Sequence, residues 1–276
     1  MTRGSCRNIV ATLVGLVVML YPMTSVLSAD VKNPLVRGDS PVTVEADDGI
    51  EWISEKKMYV ARGNARATRG TMSVVADTLT ALYRDTEGDG TEIHRLEARG
   101  RVVIKSPERT AFGDRAIYDL DQTMAVMYGQ NLRLVTKGDT ITASDSLEYW
   151  EKRRVAVARG NAVAIRRDRR IRADVLKVLF REKRAGALEA VRMDALGNVV
   201  ITTPQEVAQA REGVYNAKSG IATLSGDVKI TKGKTQLNGE VAEVNLNSGI
   251  SRLLSSRKPS KSGRVRGIFV PNSNKN

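Results

Sequence analysis

Six residues, VARGNA, occur twice in this chain, at Val60–Ala65 and again at Val157–Ala162, 97 positions apart. Repetition of this kind constrains architecture more than any other feature, because stacked copies of one unit bury a core that a single copy cannot. With the glycine of VARGNA as anchor, six glycines stand in similar surroundings: Gly63, Gly100, Gly129, Gly160, Gly197 and Gly226. Successive intervals between them are 37, 29, 31, 37 and 29, so a pattern of three recurs.

Apolar residues around each glycine have a period of two. Two and four positions after it stand Ala65 and Ala67, Val102 and Ile104, Ala162 and Ala164, Val199 and Ile201, Val228 and Ile230. The Gly129 copy carries one extra residue, which makes its pair Leu132 and Leu134. The positions between are mostly polar, such as Arg62, Asn64, Arg66, Arg99 and Arg159. This alternation predicts strands with one buried face. A mid-strand glycine marks a bulge, a bend or a close approach; the spacing places it on the inward face, where a Cβ would intrude. Thirteen residues after five of the glycines comes a second landmark: Ala76-Asp77, Gly113-Asp114, Ala173-Asp174, Ala210-Arg211 and Gly239-Glu240. Ser144-Asp145 follows Gly129 with a displacement of two, and Ala46-Asp47 precedes the first glycine. Each landmark is expected to open a further strand. With turn formers between the runs, the chain predicts about fourteen to sixteen short strands and essentially no helix.

The N-terminus precedes this pattern. MTRGSCRN supplies Arg3 and Arg7, an apolar run from Ile9 to Ala29 follows, and small residues close it. That is the layout of a secretory signal peptide at 1–29. The rival is an uncleaved anchor, since Ile9–Ala29 carries no charge and is just long enough to reach across a bilayer. Residues 30–41 read as a flexible segment, 42–256 as the repeated β region, and 257–276 as a basic linker, last strand and tail. Cys6 is the only cysteine, so no disulfide is available and the fold rests on its core and its ladders. The formal charge of +13 loses only Arg3 and Arg7 with the leader, leaving +11. In an exported protein that charge suits phosphorylated lipid, acidic glycan or a membrane surface rather than nucleic acid. Aromatic residues make up 4% of the chain and charged residues 27%. That composition excludes a transmembrane barrel with its apolar band and aromatic girdles.

Candidates for chemistry fall away in turn. DTEGDG offers Asp85, Glu87, Asp89 and Gly90 at calcium-loop positions, but the twelfth place holds Leu96 instead of a carboxylate. His94 is the only histidine and has no cysteine nearby, so no metal is expected. The recurring Asp47, Asp77, Asp114, Asp145 and Asp174 read as structural residues at strand starts, because a glycosidase needs one pair and not a ladder of equivalents. No GxxxxGK[ST] stretch exists, and no enzyme or cofactor is expected. RRDRRIR places Arg166, Arg167, Arg169 and Arg170 where they could pair with lipid phosphates, while a solvated hairpin is the plain alternative.

Strands reading YVARGNARA and GNVVI, each followed by an A-D-x-L run, resemble the OstA-like family, which holds the periplasmic lipopolysaccharide transport protein LptA with relatives LptC and the N-terminal part of LptD. GRVRGIFVPN, from Gly263 to Asn272, resembles the closing segment of such chains, and the resemblance runs from Val42 to Val270. It implies an elongated, twisted, open β-jellyroll (a β-taco) with an apolar groove that takes the acyl chains of lipopolysaccharide. It further implies a periplasmic bridge between an LptC-like inner-membrane protein and an LptD-like outer-membrane protein. Head-to-tail self-association would use Val42 and Val44 at one end and Ile268 and Val270 at the other. The apolar pairs beside the repeat glycines are the expected groove lining. If Ile9–Ala29 stays attached, the implied role is that of an anchored LptC-like assembly factor.

Overall fold

The alternation carries directly into strands. A computed structural model describes residues 41–87, 90–183, 188–204, 206–245, 250–254 and 265–268, so the leader and Val270 lie outside the described residues. Two compact units emerge, one from the described part of Leu27–Ala162 with Leu179–Glu189, the other from Val163–Val178 and the described residues from Ala190 on. The first contains β1 (Thr43–Glu45), β2 (Gly49–Ile53), β3 (Met58–Arg69), β4 (Met72–Thr86), β5 (Gly90–Ser106), β6 (Arg109–Asp119), β7 (Met124–Tyr128), β8 (Leu132–Thr136), β9 (Asp139–Ala143) and β10 (Ser146–Trp150). Strands β11 (Val155–Arg166) and β12 (Arg169–Glu182) have residues in both units. The second holds most of β13 (Leu188–Thr202), then β14 (Val207–Asn216), β15 (Ile221–Lys232), β16 (Thr235–Asn245), β17 (Ile250–Leu254) and β18 (Arg266–Ile268). One turn of 3-10 helix at Ser54–Lys56 is the only helical element among the described residues.

All pairing within each unit is antiparallel between neighbours in sequence or nearly so. In the first unit β3, β4, β5 and β6 form a continuous ladder. The remaining strands come as broken pairs: β3 pairs with β2 along one half and β1 along the other. Likewise β6 pairs with β7 and then β8, β8 with β9, and β7 with β10. In the second unit β13 to β16 form the ladder, and β16 pairs with β17 and β18 in turn.

One level of the sheet explains both the breaks and the glycines. Gly63 and Asn64 of β3 together oppose Asp77 of β4, and Gly100 and Arg101 of β5 oppose Asp114 of β6. Gly197-Asn198 and Gly226-Asp227 repeat the arrangement in the second unit. Each is a bulge with two residues in the left-handed region, as at Gly63 (φ 77°) and Asn64 (φ 44°). A left-handed first residue selects glycine. At the same level β1 stops before β2, β7 before β8, and β9 before β10. Eighteen strands therefore form among the described residues, more than the fourteen to sixteen expected, because a sequence run interrupted at this level counts as two.

Two further expectations are corrected by the bulge. The glycine does leave no room for a Cβ, but the obstacle is an outward carboxylate and not the core: Asp77 fills that space at Gly100, and Asp145 at Gly160. Most of the Ala-Asp landmarks also do not start strands; only Asp47 and Asp145 lie just before one, β2 and β10. Ala76-Asp77 and Gly113-Asp114 sit in mid-strand, opposite bulges, while Asp47 and Asp145 occupy the breaks. There Asp47 N donates to the Gly63 carbonyl at 2.8 Å, and Ser144 N donates to the Gly160 carbonyl at 2.7 Å. Donor and acceptor both recur at the interval that separates the two VARGNA copies, so the sequence repeat is a structural duplication.

Candidate functional site

The inner face of the first unit is a set of parallel rows. Cross-strand register aligns Val44, Ala67, Val74, Ile104, Ala111, Leu134 and Ile141 from β1 to β9 in a single aliphatic row. Neighbouring strands lie about 4.8 Å apart, so seven residues make an apolar strip roughly 30 Å long. Beside the bulges runs a row of buried residues, with Ala65 against Ala76, Val102 against Gly113, and Leu132 against Ala143. Past the bulges come Ile50, Ala61, Leu79, Ala98, Ala116, Met127 and Leu147. The outermost row is aromatic: Trp52 against Tyr59, then Leu96 against Tyr118 and Ala125 against Tyr149.

Burial divides the predicted groove residues into two sets. The residues nearest the glycines, Ala65, Val102, Leu132, Ala162, Val199 and Val228, are each no more than 1% exposed and fill the core. Of the outer set, Ala67, Ile104, Leu134 and Ala164 keep part of their surface open, whereas Ile201 and Ile230 are buried. In the first unit the predicted groove residues with surface to offer a ligand are Ala67, Ile104 and Leu134, all in the aliphatic row.

The predicted end residues are placed unequally. Val42 and Val44 are exposed, as are Ile50 and Trp52 on the same edge. Among the described residues β1 and β2 pair only with β3, so this edge presents unpaired backbone together with inward-facing apolar side chains. Ile268 pairs through its backbone with Gln236 of β16, and Val270 lies outside the described residues. Arg166 ends β11 and has a partner, Arg167 is left-handed in the turn (φ 54°), and Arg169 and Arg170 open β12. Asp168 reaches Arg169 only at 3.9 Å. The run is thus a hairpin turn whose exposed arginines are Arg167, Arg170 and Arg172.

Sequence spacing missed two features. Trp52 stacks on Tyr59 at 6.1 Å between centroids, Tyr59 meets Tyr83 at 5.2 Å, and the Trp52 indole N–H donates to the Tyr83 hydroxyl at 2.8 Å. Its only signal in the sequence is parity, since Trp52 and Tyr59 each belong to the inward set of their strand. The second is an outer-face ion-pair pattern that recurs at the interval of the duplication. Glu148 accepts from Arg159, as Glu51 faces Arg62 at 3.6 Å. Glu97 is met by Arg95, Arg99 and Arg115, and Asp194 by Arg192 and Lys177. Burial pushes the Glu97 carboxyl up, but Arg99, Arg95 and Arg115 together outweigh it and hold it below its usual range. At Glu148 burial is likewise overcome, by hydrogen bonds from Arg159, Ser146 and Trp150.

Such a surface can hold an apolar chain and an edge strand. Among the described residues no three of His, Cys, Asp and Glu stand together as a metal site, and no helix is long and apolar enough to cross a membrane. The family described as LptA/(LptD N-terminal domain) LPS transport protein matches the sequence twice, at residues 43–145 and 140–250. Among solved structures, the chain is similar to LptH of Pseudomonas aeruginosa, described as the LptA homologous periplasmic component of the conserved lipopolysaccharide transport device. The identity is 10%, the match covers 84% of this chain and 97% of that one, and the TM-score is 0.22. No curated protein matches the sequence.

Proposed function

This chain belongs to the LptA/LptD N-terminal-domain family of lipopolysaccharide transport proteins, and on that premise we propose that it is a periplasmic carrier that bridges the inner and outer membranes during outer-membrane assembly. Its fold class is the all-β jellyroll of that family, and it is a transport component, not an enzyme. The observation that supports the carrier reading is the half-open aliphatic row through Ala67, Ile104, Ala111 and Leu134. An acyl chain laid on these residues removes apolar surface from water on both sides, at about 25 cal/mol per Å². Nothing in the chain supplies energy for movement, so transfer is driven from outside it.

The edge made by β1 and β2 supports the bridging part. An unpaired edge with exposed Val42, Val44, Ile50 and Trp52 invites addition of a strand. An LptC-like or LptD-like partner, or a second copy presenting the end near Ile268, would complete it. Arg166, Arg167, Arg169 and Arg170 remain candidates for phosphate contact on the second unit. The LptC-like alternative rests on the uncharged stretch Ile9–Ala29 and is decided by the N-terminal residue and mass of the protein recovered from cells. Photo-cross-linkers placed at Ile104 and Leu134 test the carrier role: capture of lipopolysaccharide in cells supports it, and capture of none overturns it.

A further inference from the structure

The two rims of the first unit differ in charge. Hairpins β3–β4, β5–β6 and β8–β9 turn at one rim, next to the aliphatic row. That rim carries Arg66, Arg69, Lys105, Arg109, Arg133 and Lys137 against the acids Glu45, Glu108 and Asp139. At the opposite rim several cations are joined to acids: Lys57 pairs with Asp85, Arg84 with Glu92 and Asp121, and Arg154 with Glu182. By contrast, Arg66, Lys105, Arg109, Arg133 and Lys137 make no ion pair with a carboxylate among the described residues; the Arg133 guanidinium instead lies 4.4 Å over the Phe112 ring.

Two of these cations differ from the others in facing inward. Arg109 stands two residues before Ala111 on β6, and Arg69 two residues after Ala67 on β3, so both share the face of the aliphatic row and lie immediately beyond it. Arg69 is 8% exposed and already engaged within the chain, whereas Arg109 is open to solvent. Apolar row first, guanidinium next, is the order of parts in an amphiphile whose chains end in an anionic head. The duplication sharpens the contrast. One repeat interval on, Arg69 becomes Arg166, but Arg109 becomes Glu206, a buried carboxyl. The second unit therefore has a buried carboxyl where the first has its exposed inward arginine.

Resting on the carrier reading above, we propose that this rim of the first unit is a headgroup site for a phosphorylated lipid, with Arg109 taking phosphate oxygens while the acyl chains lie over the aliphatic row. Guanidinium matches phosphate with two parallel N–H donors, and its charge is permanent. Lys105 and Lys137 add field without fixed geometry, which makes the preference strongest at low salt. The lipid thereby gains a direction: its head lies at the β3–β4, β5–β6 and β8–β9 turns and never at the opposite rim.

The test measures capture of diphosphoryl lipid A and of the same lipid A stripped of both phosphates, by the protein as recovered from cells, at low and high salt. Wild-type protein is expected to prefer the phosphorylated form by roughly tenfold or more at low salt, the scale of one or two charge-assisted contacts. Arg109→Glu should bring the ratio close to one without weakening capture of the stripped lipid, and Arg109→Lys should keep part of it. The double change Lys105→Glu and Lys137→Glu, on exposed residues that no packing requires, should lower the ratio as well. Reversal at the opposite rim, Lys56→Glu with Lys152→Glu, should leave it alone. An unchanged ratio in the Arg109 and lysine variants overturns the headgroup site while the carrier reading stands. Equal loss from both rims overturns it too, as does displacement of lipid by inorganic phosphate at matching concentration. If the wild type captures neither lipid, the carrier reading fails and this site with it.

Discussion

The carboxylate of Asp174 lies against the α-carbon of Gly197, in the space a Cβ there would need, and Asn198 Nδ2 donates to both its oxygens at 3.1 and 2.9 Å. One repeat earlier Asp77 lies against Gly100 in the same way, with Arg101 Nε donating at 2.9 Å where Asn198 stands later. The bulge thus serves as a register pin, since a strand slipped by one residue loses the glycine, the carboxylate and the donor together.

Two glycine substitutions separate the parts of that pin. Gly233 has φ of 54° with open space around it. Gly233→Ala should therefore cost only the left-handed penalty, about 1 kcal/mol. Gly197, with φ of 73°, adds the collision with Asp174. Gly197→Ala should cost roughly 2–5 kcal/mol once overpacking is included. Urea unfolding of the two variants checks this. Equal midpoints would show that the carboxylate contact carries nothing.

Acid should loosen the outer face at identifiable carboxylates. Glu97 and Glu148 both titrate below their ordinary value of 4.5, because arginine contacts outweigh burial. A folded-state value below the unfolded one gives stability that is complete above about pH 4.5 and lost as pH falls through the lowered value. The melting temperature should therefore drop on acidification past that point, and Glu97→Gln with Glu148→Gln should flatten the drop while lowering stability at neutral pH.

Cross-linkers should distinguish core from lining. Capture of lipid is expected at Ile104 and Leu134, which keep open surface, and not at Val102 or Leu132, which are no more than 1% exposed. Val102→Ala and Leu132→Ala should instead cost about 2–4 kcal/mol as cavities. Capture at all four positions would mean that the closed row opens to admit lipid.

At the open edge, Ile50→Lys or Trp52→Lys should weaken end-to-end association without unfolding the chain. Both side chains are exposed, and lysine on an edge strand opposes addition of another. Sedimentation velocity over a range of concentrations reads the effect, and an unaltered distribution would place the contact elsewhere.

How far the sequence led depended on which physical signal each feature left. Parity is a strong signal, and alternation around Gly63 to Gly226 correctly placed the strands and their inward apolar residues. What parity cannot state is depth. Val102 and Ile104 face the same way, yet one is sealed and the other half open, because a bulge flanks the first and a hairpin rim the second. The bulge itself misled the reading of glycine: an extra residue turns its missing side chain outward, onto Asp77 or Asp145, where strict alternation would point it inward. Arg109 passed unnoticed because a single arginine carries no motif; only the register that sets it beyond Ala111 places it at the end of the aliphatic row. RRDRRIR stood out in the sequence because its arginines are adjacent, which in a hairpin turn spreads them over both faces.

The most direct measurement is capture of lipopolysaccharide by the purified protein against a phospholipid control, with the amount bound followed to saturation. Selective, saturable binding that weakens when Ile104 and Leu134 are both changed to Asp is the predicted result. A folded protein that binds neither lipid, or binds both alike, would contradict a carrier built on that aliphatic row.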